Sequence, residues 1–255
     1  MYYTTGLTKD LFRTLCDMIR PLSPDPQKPR GRRQKLSLYQ KVEVTLTYMK
    51  TNRTEDDLAY TFDVDQTTIS RIICTYTPII SQVLEHLVPV VDDLDPDEPL
   101  IIDGTLSPNW SWKTHPEDYS GKHKTTGMNL QVAVSPLGDL RWVSDPAPGS
   151  VHDAEALRAS GLLDVENLPN HIGDKGYQGV LPITPVKRNP GQQKLDPRDK
   201  AFNKSVNSIR QAVERAIAHL KTWRALHTDY RRPRHTHPET ITAILGLHFY
   251  KLHFA

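Results

Sequence analysis

The sequence predicts an α/β domain preceded by a small all-α unit, and three observations carry that prediction. Apolar residues recur at helical spacing over 36–87, with no strand-like alternation. An acidic, proline-punctuated stretch of Asp92, Asp93, Asp95, Pro96, Asp97, Glu98 and Pro99 follows and reads as a linker. Beyond it the period changes: strand-like runs come first, strand and helix then mix, and a long helix follows, an order that suits an α/β domain rather than a bundle. The expected division is a helical unit over 1–91 and an α/β domain over 98–255.

The elements follow in order. Pro21, Pro24, Pro26 and Pro29 exclude a helix, and Lys28, Arg30, Arg32, Arg33 and Lys35 come with no acid among them, so this stretch reads as an extended basic arm. Such an arm either lies in a DNA minor groove or is a solvated linker. From Glu55, Ala59 sits at the fifth position, Val64 at the tenth, Ile69 at the fifteenth and Ile72 at the eighteenth, which is the helix-turn-helix pattern. A small Ala lets two helices cross closely, and Ile69 and Ile72 pin the second helix to the first. Asp63 stands where Gly is usual, and Asp tolerates the left-handed conformation that the turn needs. Gln66, Thr67, Thr68, Ser70 and Arg71 offer groups that reach base edges and phosphates.

After the linker, 100–102 is a short buried strand ending at Asp103-Gly104. Residues 128–134 alternate as a second strand, 136–139 form a hairpin turn and 140–143 are the third strand. A helix is expected over 153–159, a short strand over 171–173 ending at Asp174, a further strand over 183–186, and the longest helix over 203–224.

Composition narrows the function classes. A mean hydropathy of -0.53 and the lack of an apolar run near about 18 residues exclude a spanning helix, and MYYTTGLTKDLF carries no signal peptide pattern. The expectation is a soluble, unexported protein. Cys16 and Cys74 form no CxxC pair and read as reduced thiols. The net charge of +2 hides a separation: residues 1–35 carry +5, 201–255 carry +6, and the middle carries -9. Basic ends around a carboxylate-rich centre suit phosphate binding at the ends and divalent metal at the centre.

Asp103, Asp174 and Glu214 stand where oxygen ligands would converge across a sheet, as hard Mg²⁺ or Mn²⁺ ions prefer. At roughly 100° per residue, Val206, Ile209, Val213, Ile217 and Leu220 form an apolar seam on the long helix. Arg210, Glu214 and Lys221 form one polar stripe beside it. A carboxylate flanked by cations suits a metal ligand with phosphate-binding neighbours. Asp153 is a rival carboxylate: Ser150 with Asp153 fits a helix N-cap as well as an accessory role. Lys122, His123 and Lys124, and later Arg231, Arg232 and Arg234, read as phosphate contacts. His235 and His237 lack the Cys partners of a zinc knuckle and read as surface residues.

Ile102-Asp103-Gly104-Thr105, the run 119–132, Pro148-Gly149-Ser150-Val151-His152-Asp153, Gly173-Asp174-Lys175-Gly176-Tyr177 and Val213-Glu214-Arg215 resemble the DDE transposases of bacterial insertion sequences and the related Harbinger-type elements. Arg210, Glu214 and Lys221 match that family's Tyr, Arg, Glu, Lys signature, with Asn207 at the Tyr place. The resemblance covers the chain from about Gly31. It implies a ribonuclease H-like catalytic fold, with Asp103, Asp174 and Glu214 as catalytic and metal-binding residues holding two Mg²⁺ or Mn²⁺ ions. It also implies binding of terminal inverted repeats and target DNA, strand cleavage and strand transfer, a homodimer on DNA, no membrane, and a cytoplasmic, nucleoid-associated bacterial protein. Two alternatives stay open: a transposase-derived DNA-binding protein without catalysis, and a metal-dependent DNA nuclease without the joining step.

Overall fold

The computed structural model describes residues 2–24, 35–110, 114–164 and 170–254. They form two compact units, Met1–Val88 with Lys221–Ala255, and Pro89–Leu220. Arg30, Arg32 and Arg33 of the expected basic arm lie outside the described residues. Among the described residues no helix is long and apolar enough to cross a membrane.

The first unit opens with α1 (Tyr2–Thr5), α2 (Lys9–Ile19), α3 (Leu38–Thr51), α4 (Glu55–Phe62) and α5 (Gln66–Leu84). Local chemistry sets these limits. Ser37 and Gln40 form a capping box at the start of α3, and Asn52 ends it in the left-handed conformation at φ 48°. Thr54 caps α4, whose first turn holds Glu55, Asp56 and Asp57 against the positive end of the helix dipole. Asp63 ends α4 at φ 51°, the left-handed turn expected for that position. Leu58, Ile69 and Ile73 are fully or almost fully buried, and Ile72 nearly so, so the turn is pinned as its sequence pattern requires.

The second unit contains β1 (Ile101–Pro108), β2 (Tyr119–Ser120), β3 (Thr125–Val134), β4 (Leu140–Val143), β5 (Ala147–Pro148), α6 (Asp153–Ala159) and α7 (Pro197–Leu220). It is a mixed α/β unit around an antiparallel sheet. β3 pairs with β1 along one side and with β2, β5 and β4 along the other. The β3–β4 turn closes through Ser135 and Asp139, with Gly138 at φ 96°. Ile102, Ala133, Trp142, Leu157, Leu162, Tyr177 and Leu181 form a buried cluster on the α6 side.

Several expectations are corrected here. β1 does not end at Asp103 but runs on to Pro108, because its partner β3 extends equally far. The expected strands at 171–173 and 183–186 reduce to parallel bridges from Ile101 to Ile172 and from Ile172 to Ile183. Their last residue is held differently: Asn203 of α7 bonds both the backbone N–H (2.7 Å) and the carbonyl (3.0 Å) of Val186. α7 starts and ends earlier than 203–224, so Lys221 lies beyond the helix and off its stripe. Ile209 is 43% exposed, and the buried seam is Val206, Val213 and Leu220 with Asn203 and Ala212.

The compact units do not follow the expected division at 91 and 98 either. Residues 221–255 return to the helical unit, where α8 (His237–Phe254) buries Ile241, Ile244 and Leu247 against its neighbours. α8 packs on α5, and a Cβ at Gly246 would stand 2.8 Å from Leu84 Cβ, so only glycine permits that approach. His237 is buried and stacks on Tyr230 with ring centroids 4.3 Å apart, which corrects the surface reading of this histidine.

Candidate active site

Two carboxylates meet the sheet at one edge. Asp103 is the third residue of β1, and its backbone lies beside the point where the parallel bridge from Ile101 to Ile172 stops. The chain then turns at Gly173, where an added Cβ would meet Leu181 Cδ1 at 2.5 Å, and Asp174 accepts from the Gly176 N–H at 2.6 Å. Asp174 thereby caps the short helical turn Lys175–Tyr177. Tyr177 packs fully buried beneath it.

Cations accompany the acids. Arg210 Nη2 is 2.7 Å from Asp103 Oδ2, with the two side chains only 13% and 14% exposed. Burial pushes the Asp103 carboxyl above the ordinary carboxylate range; Arg210 opposes that shift and Asp174 adds to it. Lys122 Nζ is 2.6 Å from Asp153 Oδ2. Burial works against the Lys122 ammonium, yet Asp153, then Asp103 and Asp174, outweigh it and leave the pKa above that of an ordinary lysine. Lys122 and Lys124 both lie in the exposed turn between β2 and β3.

Asp153 is not an N-cap. His152 occupies the cap position with no side-chain cap bond, while Asp153 Oδ1 accepts from Asn129 Nδ2 at 2.9 Å. A Cβ at Gly104 would stand 2.4 Å from Asp153 Oδ1, so the carboxylate fills the space that a side chain at 104 would take. Asp103, Asp153 and Asp174 therefore share one electrostatic neighbourhood around Lys122 and Tyr177. Glu214 is exposed on α7, one turn beyond Arg210. The donor set is all carboxylate and suits a hard divalent cation, although among the described residues no three acids, histidines or cysteines converge ready to hold one.

The residues expected to read DNA do not share one face. Thr68 and Arg71 line a groove of about 780 Å³ with Lys35, Lys41, Tyr60 and Asp63. Thr67 is exposed, Gln66 bonds Glu55, and Ser70 faces the Arg232 guanidinium. Arg232 is itself buried, pairs with Glu55 and donates to Cys74 Sγ at 2.7 Å, which corrects its reading as a phosphate contact. Lys221 is part-buried, and burial lowers its ammonium pKa.

Residues 102–248 match the family model of the DDE superfamily endonuclease, and residues 34–85 match that of the helix-turn-helix of DDE superfamily endonuclease. The chain belongs to the DDE superfamily endonucleases. It is 30% identical to a protein named as a transposase for insertion sequence element IS112 of Streptomyces albus G, over 87% of this chain and 83% of that one. It is 24% identical to one named as a transposase for insertion sequence element IS702 of Microchaete diplosiphon, over 97% of this chain and 92% of the other. No solved structure matches the chain at a significant level.

In this DDE superfamily endonuclease, Asn129, Gln131 and Tyr177 are bonded to one another and on to Asp153, and the sequence had not singled them out as candidates. Asn129 and Gln131 alternate with Met128, Leu130 and Val132 in β3, which reads as a solvated face; α6 and Tyr177 cover them, leaving Asn129 5% and Gln131 0% exposed. The available signal was their type: two amides at i and i+2, set between the apolar Met128, Leu130 and Val132.

Proposed function

We propose that this chain is a transposase that binds the terminal inverted repeats of its element, cleaves DNA there with divalent metal, and joins the freed 3′ end to target DNA. The observation that carries the reading is Asp103, a carboxylate buried against the sheet edge with Asp174 near enough to raise its pKa further. The two matched family models in chain order, and relatives named as transposases over most of their length, support it. The fold proposed for the second unit is ribonuclease H-like.

Asp103, Asp174 and Glu214 would hold Mg²⁺ or Mn²⁺, in the proposed count of two. Bound there, divalent ions supply an activated water or 3′-hydroxyl on one side and stabilisation of the leaving oxygen on the other. The chain does the rest. Arg210 pairs with Asp103, Lys122 and Lys124 offer phosphate contacts, and the helix-turn-helix with Arg71 reads the repeat. A homodimer would bring two ends together, in the bacterial cytoplasm at the nucleoid.

The test is a duplex carrying the inverted repeats that flank the gene, incubated with Mg²⁺ or Mn²⁺ and a target plasmid. Cleavage at the repeat and strand-transfer products are expected, both abolished by Asp103→Asn, Asp174→Asn and Glu214→Gln. Cleavage that survives one of these substitutions removes that residue from the set. Cleavage without transfer favours the nuclease reading, and repeat binding without cleavage favours a DNA-binding derivative.

A further inference from the structure

A chain of polar groups runs beneath the sheet and ends on a surface lysine. The Tyr177 hydroxyl donates to Gln131 Oε1 at 2.6 Å, and Gln131 Nε2 donates to Asn129 Oδ1 at 3.0 Å. Asn129 Nδ2 donates to Asp153 Oδ1 at 2.9 Å and to the Val151 carbonyl at 3.0 Å. Asp153 Oδ2 accepts from Lys122 Nζ at 2.6 Å. Each amide uses both its oxygen and its nitrogen, and Asn129 donates both of its N–H groups, so neither can flip without breaking a buried contact.

The scaffold is out of proportion to the pair it supports. Lys122 is 53% exposed, and an ion pair that exposed contributes little to stability. A lysine on a turn also loses rotamer freedom when it is fixed. Asp153 lies in the first turn of α6, but His152 holds the cap position and the Asp153 carboxylate bonds Asn129 and Lys122 instead. What the arrangement does achieve is a fixed ammonium, in the field of Asp153, Asp103 and Asp174.

We propose that Asp153 is a positioning residue: it aims Lys122 at a DNA phosphate beside Asp103, and Asn129, Gln131 and Tyr177 fix Asp153 for that task. The proposal rests on the reading of Asp103 and Asp174 as the cutting site.

The test uses the full chain, a mixed-sequence DNA duplex and a salt titration of the binding constant, with a melting curve on every variant. Lys122→Met removes one phosphate contact and should lower the slope of log affinity against log salt by about 0.9. Removing a negative charge near phosphate would ordinarily tighten binding. Asp153→Asn is expected instead to weaken it and to lose the same slope, and the double variant should be no worse than either single one. Gly104→Ala, whose Cβ would displace the Asp153 carboxylate while keeping its charge, should behave likewise and carries the test if Asp153→Asn does not fold. Tighter binding by Asp153→Asn, or additive losses in the double variant, overturns the proposal. A wild-type chain that binds no duplex overturns it together with the parent reading, whereas nicking retained in Asp103→Asn removes Asp103 from the cutting residues and leaves the slopes of the Lys122 and Asp153 variants to decide the positioning.

Discussion

Arg210 Nη2 stands 2.7 Å from Asp103 Oδ2, and both side chains are largely withdrawn from water. The cation of the long-helix signature therefore neutralises a carboxylate in this structure rather than facing outward to phosphate. Its Nε has no hydrogen-bond partner among the described residues, so the pairing uses one arm of the guanidinium and leaves another nitrogen buried.

Stability of Arg210→Gln should depend on pH in a defined direction. Burial raises the folded pKa of Asp103 above its unfolded value, so its contribution to stability is present below about pH 4 and lost as pH rises through the folded value. Arg210 limits that loss. Without it the pKa climbs further, and the deficit against wild type should be small in acid and grow to about 3 kcal/mol near neutrality. Urea unfolding across this range checks it; a deficit independent of pH would mean that the pair does not govern Asp103.

Arg232 and Arg71 should fail differently. Arg232 is buried against Glu55, Ser70 and Cys74, so Arg232→Met strands Glu55 and should cost about 3 to 5 kcal/mol in the helical unit. DNA binding should then fall with the loss of folded protein and keep its salt slope at low temperature. Arg71→Ala should leave melting unchanged and reduce the slope by about 0.9. Circular dichroism melts with salt-titrated gel shifts separate the two, and a slope change in folded Arg232→Met would return that residue to the phosphate contacts.

The two thiols should react unequally. Cys16 is fully buried, and burial pushes its pKa up to about 12, so almost no thiolate forms at pH 8. Cys74 is exposed. A chromogenic disulfide reagent at pH 8 should modify Cys74 in the folded chain and reach Cys16 only on unfolding. Two equivalents reacting rapidly in the native protein would contradict the burial of Cys16.

Local features were legible where the chemistry is local. Asp63 takes the left-handed turn that its type and position in the repeat of Ala59, Val64, Ile69 and Ile72 call for, and α6 and β4 keep their expected limits. Asp103 and Asp174 were found because short apolar runs end near them. Their neighbours were harder. Asp153 also reads as a cap, and only the position of Asn129 opposite shows where its carboxylate goes.

By itself the sequence determined the helix-turn-helix, the change from a helical unit to a strand-bearing one, and the acids that carry the family resemblance, since each follows from spacing, turn residues or residue type over a few neighbours. Tertiary structure alone decided that Arg210 turns to Asp103, that the amide face of β3 is covered, that Arg232 is buried, and that 221–255 packs with the helical unit. The reason is physical. Periodicity records which side chains share a face, but what covers that face, and which distant charge meets it, depends on residues far along the chain through contacts such as Arg232 with Glu55, 177 apart, and Asn129 with Asp153, 24 apart.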